Sequence, residues 1–164
     1  MTLMLVFSDT HGDISFAEKA IARFPQATHI LHLGDLTRDA RLLEARYPAK
    51  TMLAVSGNCD YDGDSDKFPN ERIVIVEKKR LLLVHGNRFN VKSGYDKLFR
   101  RAEKDKFDLV LCGHTHMAAD ITHNGRHILN PGSLTLPHGN EGPSFAIVEI
   151  GRGLIETRIL EERS

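Results

Sequence analysis

Five apolar runs in this chain end on the same kinds of residue. Residues 3–7 lead into Ser8-Asp9-Thr10-His11-Gly12, residues 30–33 into Gly34-Asp35, and residues 52–55 into Ser56-Gly57-Asn58-Cys59-Asp60. Residues 81–84 lead into His85-Gly86, and residues 109–112 into Gly113-His114-Thr115-His116. Asp, Asn and His ligate metals or move protons, and the adjacent glycine lets the backbone turn sharply and a ligand come close. Asp9 and His11 are two apart, as are His114 and His116. In extended backbone such pairs point the same way, so each pair is expected to reach one site together. Asp9, His11, Asp35, Asn58, His85, His114 and His116 supply seven oxygen and nitrogen donors. That exceeds the four of a tetrahedral zinc site and suits two adjacent divalent ions sharing a carboxylate. Such a pair, roughly 3.5–4 Å apart, is a device for in-line displacement at phosphorus.

The elements that must carry these donors alternate at first. Residues 3–7, 29–33 and 51–55 read as strands, the first being apolar throughout, as for a strand buried on both faces. Between them, residues 14–24 show apolar positions at helical spacing, and Thr37 is expected to cap a second helix that ends before Pro48. This β-α-β-α-β order predicts a largely parallel sheet, with the donors at the carboxyl edge where α/β folds bind ligands. Later, residues 72–76 and 80–84 read as a hairpin, 95–104 as a helix and 108–112 as a buried strand. Asn124-Gly125 predicts a tight hairpin turn, and residues 145–150 and 154–160 a last hairpin.

The ordered series Asp-x-His, Gly-Asp, Gly-Asn-x-Asp, His-Gly and Gly-His-Thr-His resembles the calcineurin-like metallophosphoesterases. Gly-Asn-Cys-Asp, the short length and Asn130-Pro131-Gly132-Ser133 look most like the small bacterial and archaeal phosphodiesterase branch. The resemblance runs from Asp9 to Ser133 and implies an α/β sandwich of two mixed sheets flanked by helices, here as a single domain over residues 1–164. It implies one metal on Asp9, His11 and His116, a second on Asn58, His85 and His114, and Asp35 bridging both. Asp35, Asn58, His85 and Cys59 are the positions it sets closest to catalysis. Where many members carry Gly-Asn-His, whose His protonates the leaving group, this chain has Cys59; where some carry a second His after His-Gly, it has Asn87. A thiol, with a reference pKa of ~8.5, is a weak donor, which leaves the general acid open.

The expected activity is hydrolysis of a small phosphate ester, foremost a phosphodiester, by a hydroxide that two metals generate. Mixed carboxylate and imidazole ligands fit Mn²⁺ first, with Fe²⁺, Ni²⁺, Co²⁺ and Zn²⁺ as alternatives. The competing reading is a non-catalytic scaffold like the small retromer subunit, which also resembles this family; the full set of seven donors argues against it. A single-zinc reading lacks a thiolate cluster. Oligomers are common in the branch, so a homo-oligomer stays open.

Other residues have plainer readings. His29 and His32 lie inside a strand and read as packing or partly exposed residues; His123 and His127 flank the Asn124-Gly125 turn and read as solvated. Residues 60–66 imitate a calcium loop, but Ser65 stands where the loop needs Gly and Pro69 interrupts it, so a solvated acidic loop is expected, with Asp60 orienting a site residue. His138 is a candidate phosphate contact. Composition excludes other classes. Lys plus Arg and Asp plus Glu both number 22, so nothing suggests a sequence-independent nucleic-acid binder. No apolar run approaches the ~20 residues of a membrane helix, and no basic residue precedes the first run as in a secretory signal. Two cysteines make no disulfide scaffold, which points to the cytoplasm.

Overall fold

The computed structural model describes residues 1–60 and 67–162. One sheet has the order β10-β9-β1-β2-β3, formed by β1 (Thr2–Phe7), β2 (His29–His32), β3 (Thr51–Ala54), β9 (Ser144–Gly151) and β10 (Leu154–Glu161). Strands β1, β2 and β3 run parallel, in register Phe7 to His32 to Ala54, and β9 pairs antiparallel with both β1 and β10. The second sheet has the order β4-β5-β6-β8-β7, from β4 (Glu71–Val76), β5 (Lys79–Val84), β6 (Leu109–Leu111), β7 (Ala118–His123) and β8 (Arg126–Pro131). Its three central strands are parallel and its edges antiparallel. The predicted parallel start and the three hairpins are present.

The two sheets face each other across Met4, Val6, Leu31, Leu83, Leu111 and Val148. The alternate residues of β1, Leu3, Leu5 and Phe7, point the other way and pack with Ala17, Ala20 and Ile21 of α1 (Ser15–Arg23) and Leu43 of α2 (Thr37–Arg46). On the far side, α3 (Asp96–Asp105) lays Leu98 and Ala102 against Leu82, Val110 and Ile128. This is a helix–sheet–sheet–helix sandwich, and it explains why β1 is apolar at every inner position: both of its faces are covered. Among the described residues no helix is long and apolar enough to cross a membrane.

Thr37 does not cap α2. Leu36 holds the cap position in extended conformation, with no side-chain cap, and Thr37 is the first helical residue. Its N–H is satisfied from a distance: Asp60 Oδ1, on the loop after β3, accepts it at 2.8 Å. Local spacing suggested a cap from Thr37, but a carboxylate 23 residues away serves the helix.

Candidate metal centre

Because β1, β2 and β3 are parallel in one sheet and β5, β6 and β8 in the other, the loops that follow them crowd one end of the sandwich. The loops are tied across the sheets. His85 Nδ1 donates to the Leu33 carbonyl at 2.6 Å, the His114 N–H donates to Asp9 Oδ2 at 3.0 Å, and Ser133 Oγ donates to the Asp9 carbonyl at 2.7 Å.

Two groups of side chains result. Ligand atoms of Asp9, His11 and His116 lie within 4.8 Å of one another, and so do those of Asp35, His85 and His114. Asp9 Oδ2 is occupied by Ser8 Oγ at 2.6 Å and the His114 N–H. Asp9 Oδ1 is buried and makes no hydrogen bond among the described residues, although His116 Nε2 lies 3.2 Å away and His11 and His85 Nε2 each 3.8 Å. His11 Nε2 is likewise buried without a hydrogen-bond partner among the described residues. Asp35 Oδ2 stands 3.3 Å from His85 Nε2 and 3.8 Å from His11 Nε2, while its Oδ1 accepts the Cys59 N–H at 3.0 Å. Asp35 therefore faces donors of both groups.

The proton positions favour ligation. A carbonyl can only accept, so His85 Nδ1, on Leu33, and His116 Nδ1, 2.7 Å from the Leu136 carbonyl, carry the protons and leave their Nε2 lone pairs turned inward. Burial alone would raise the Asp9 carboxyl, but the imidazoles of His11, His116 and His85 hold it well below the usual carboxylate range. His85 shows the converse: burial opposes its charged form, yet Asp35 and Asp9 raise its pKa. Buried, unpartnered carboxylate oxygen facing imidazole nitrogen is a costly arrangement that a divalent cation would satisfy, and carboxylate with imidazole is a donor set for such ions. The residues fit a metal.

The pairs Asp9/His11 and His114/His116 do not meet through strand alternation. All four adopt left-handed backbone conformations, with φ of 54°, 45°, 71° and 58°, as does Asp35 at 51°. Left-handed conformation is unfavourable for residues with a Cβ and gathers at functional sites. His114 and His116 consequently point into different groups, which extended backbone would have prevented.

Cys59 Sγ joins His11 and Asp35 in a third group within 4.8 Å. Burial, then the Asp35 and Asp60 carboxylates, push its thiol up, so it keeps its proton near neutral pH. Asn58 is exposed, its amide nitrogen 3.7 Å from Cys59 Sγ. Asp60 does orient its neighbours: Oδ2 accepts the Gly57 and Asp35 N–H groups at 2.7 and 3.1 Å. The rest of the calcium-like run, residues 61–66, lies outside the described residues. Asn130 grips the Gly113 carbonyl and Thr115 Oγ1. His138 stacks on His116, ring centroids 4.4 Å apart.

One histidine differs from its sequence reading, and another packs as read but is also hydrogen-bonded. His127 is half-buried and bonds Asp120 Oδ1 at 2.5 Å. His32 is fully buried beneath the site, bonded to Thr10 and to the Gly34 N–H. The available signal was a histidine inside an apolar strand, two residues before Gly34-Asp35; Asp39, which accepts the Thr10 hydroxyl from the buried face of α2, carried none.

Residues 1–153 match the calcineurin-like phosphoesterase superfamily domain. The chain is 30% identical over 162 residues to the probable metallophosphoesterase YsnB of Bacillus subtilis, covering 97% of this chain and 90% of that one. It is 29% identical over 169 residues to the phosphodiesterase YfcE of Escherichia coli, covering 91% and 88%. Its fold superposes with a TM-score of 0.77 on a zinc complex of Vps29 from Entamoeba histolytica, at 21% identity and with 97% and 98% covered.

Proposed function

Since the chain belongs to the calcineurin-like phosphoesterase superfamily, we propose that it is a cytoplasmic, metal-dependent phosphodiesterase acting on small phosphate esters. One observation carries the reading: Asp9 Oδ1 is buried, has no hydrogen-bond partner among the described residues, and faces three imidazole nitrogens. Asp9, His11 and His116 would hold one ion, and Asp35, His85 and His114 a second with Asn58 completing it. Two divalent ions there, Mn²⁺ first, would generate hydroxide from water near neutral pH and neutralise charge on the phosphoryl oxygens for in-line attack.

The chain's own groups set the rest. The Leu33 and Leu136 carbonyls fix the tautomers of His85 and His116, so neither ring must turn to ligate. Asp35 is locked by the Cys59 N–H with its other oxygen toward both groups. The Asn58 amide, exposed at the rim, can donate to a non-bridging phosphoryl oxygen. The protonated Cys59 thiol, a weak donor, favours substrates whose leaving oxygen departs easily.

The test is hydrolysis of bis(p-nitrophenyl) phosphate. Activity should require added Mn²⁺, vanish with EDTA and return when metal is restored. Turnover that survives exhaustive chelation overturns the metal reading. Inactivity with every common divalent ion favours an interaction scaffold.

A further inference from the structure

Thr10 stands between two candidate ligands, Asp9 and His11, and is completely buried. Its hydroxyl lies 2.5 Å from Asp39 Oδ2 and 2.8 Å from His32 Nε2, and both of those side chains are completely buried too. The direction of these bonds is fixed. The Thr10 hydroxyl donates to the Asp39 carboxylate. The Gly34 N–H donates to His32 Nδ1 at 3.2 Å, so that nitrogen holds a lone pair and Nε2 carries the proton donated to Thr10. Burial lowers the His32 pKa, which agrees with this neutral form.

The chain of bonds reaches both candidate metal groups. Asp39 Oδ2 also accepts the Gly12 N–H at 2.8 Å, so the loop bearing Asp9 and His11 is gripped at Thr10 and again at Gly12. His32 reaches the other way, to Gly34, immediately before Asp35. The two loops are in addition joined by the Asp9 N–H on the Gly34 carbonyl and the His11 N–H on the Asp35 carbonyl, each at 3.0 Å. Asp9 and His11 sit on either side of Thr10 in left-handed backbone, which needs surroundings that over-determine it.

We infer that Asp39, Thr10 and His32 form a buried positioning chain that sets the Asp9–His11 turn against Asp35 and so holds the two metal-binding groups in register. The inference rests on the metal reading of the site. None of the three residues need touch metal or substrate; each acts through the ligands beside it.

The test measures Mn²⁺ affinity by isothermal titration of the full chain stripped of metal, with a thermal melt of each variant. Thr10→Val keeps the shape of the side chain and removes its hydroxyl. It should weaken Mn²⁺ binding about 10–100-fold, the usual cost of losing an outer-shell partner, and Thr10→Ser should restore most of it. At His32, Gln places an N–H near the lost Nε2, whereas Asn reaches only the Nδ1 position. His32→Gln should therefore bind Mn²⁺ more tightly than His32→Asn, a difference that a merely space-filling histidine would not produce. Unchanged affinity in folded Thr10→Val, or His32→Asn binding as well as His32→Gln, overturns the positioning role. If Thr10→Val does not fold, the two His32 variants decide. If the wild-type protein binds no divalent ion, the metal reading falls, and this inference with it.

Discussion

Removing Asp60 should damage both the fold and the metal site. Its carboxylate accepts three backbone N–H groups, from Gly57 at 2.7 Å, Thr37 at 2.8 Å and Asp35 at 3.1 Å. Hydrogen bonds to a charged group are worth ~1.5–3 kcal/mol when buried. Asp60 is half-buried, so water can replace part of each bond, and about 1 kcal/mol apiece is the better figure. Asp60→Ala should thus cost about 3 kcal/mol, part of it the cap of α2. In a domain of this size that lowers Tm by about 6–12 °C. Asp60→Asn keeps one acceptor oxygen but turns an NH₂ toward a backbone donor, so it should fall between wild type and Ala. The assay is a thermal melt of metal-free protein beside a Mn²⁺ titration, since the Asp35 loop should loosen with its N–H unpaired. A Tm within about 2 °C of wild type, with unchanged Mn²⁺ affinity, would show that the Asp60 carboxylate holds neither α2 nor the Asp35 loop.

Asp35→Asn should lower metal affinity in both groups and cut kcat by orders of magnitude while the melt shows a folded protein, because Asp35 faces donors of both groups. Gly113→Ala should abolish Mn²⁺ binding: its Cβ would collide with Ser8 Oγ and lie 2.7 Å from Asp9 Oδ2, and tight binding by this variant would show that the Asp9 carboxylate is not needed where it stands. Cys59→His should flatten the dependence of rate on leaving-group pKa, helping alkyl more than aryl phosphodiesters, with general-acid assistance worth ~10²–10⁴-fold. Coincident slopes in a metal-loaded Cys59→His would move the search for the proton donor to His138, which stacks on His116.

Most of the site was legible because its signals are local. Asp9, His11, Asp35, His85, His114 and His116 all lie within a few residues of the end of an apolar run, in segments that contain a glycine, and parallel strands put those ends together. What local pattern could not show was how the ends turn. The left-handed backbone of Asp9, His11, Asp35, His114 and His116 is imposed by bonds from elsewhere in the chain, such as Ser133 Oγ to the Asp9 carbonyl. Strand alternation therefore gave the right company for Asp9 and His11 for the wrong reason, and would have sent His114 and His116 to the same group. The same limit applies to α2, whose first N–H bonds Asp60, and to His32, whose partner Thr10 lies on the loop after β1 and is bonded in turn to Asp39 of α2. Periodicity registers which faces are covered, not which polar groups are paired across a tertiary contact.

The proposed chemistry requires that these side chains hold two ions. Anomalous diffraction from crystals grown with Mn²⁺ tests it directly. Two peaks are expected, one against Asp9, His11 and His116 and one against Asp35, His85 and His114, with Asp35 between them. A protein that hydrolyses phosphodiesters with one peak, or with none at these side chains, would contradict it.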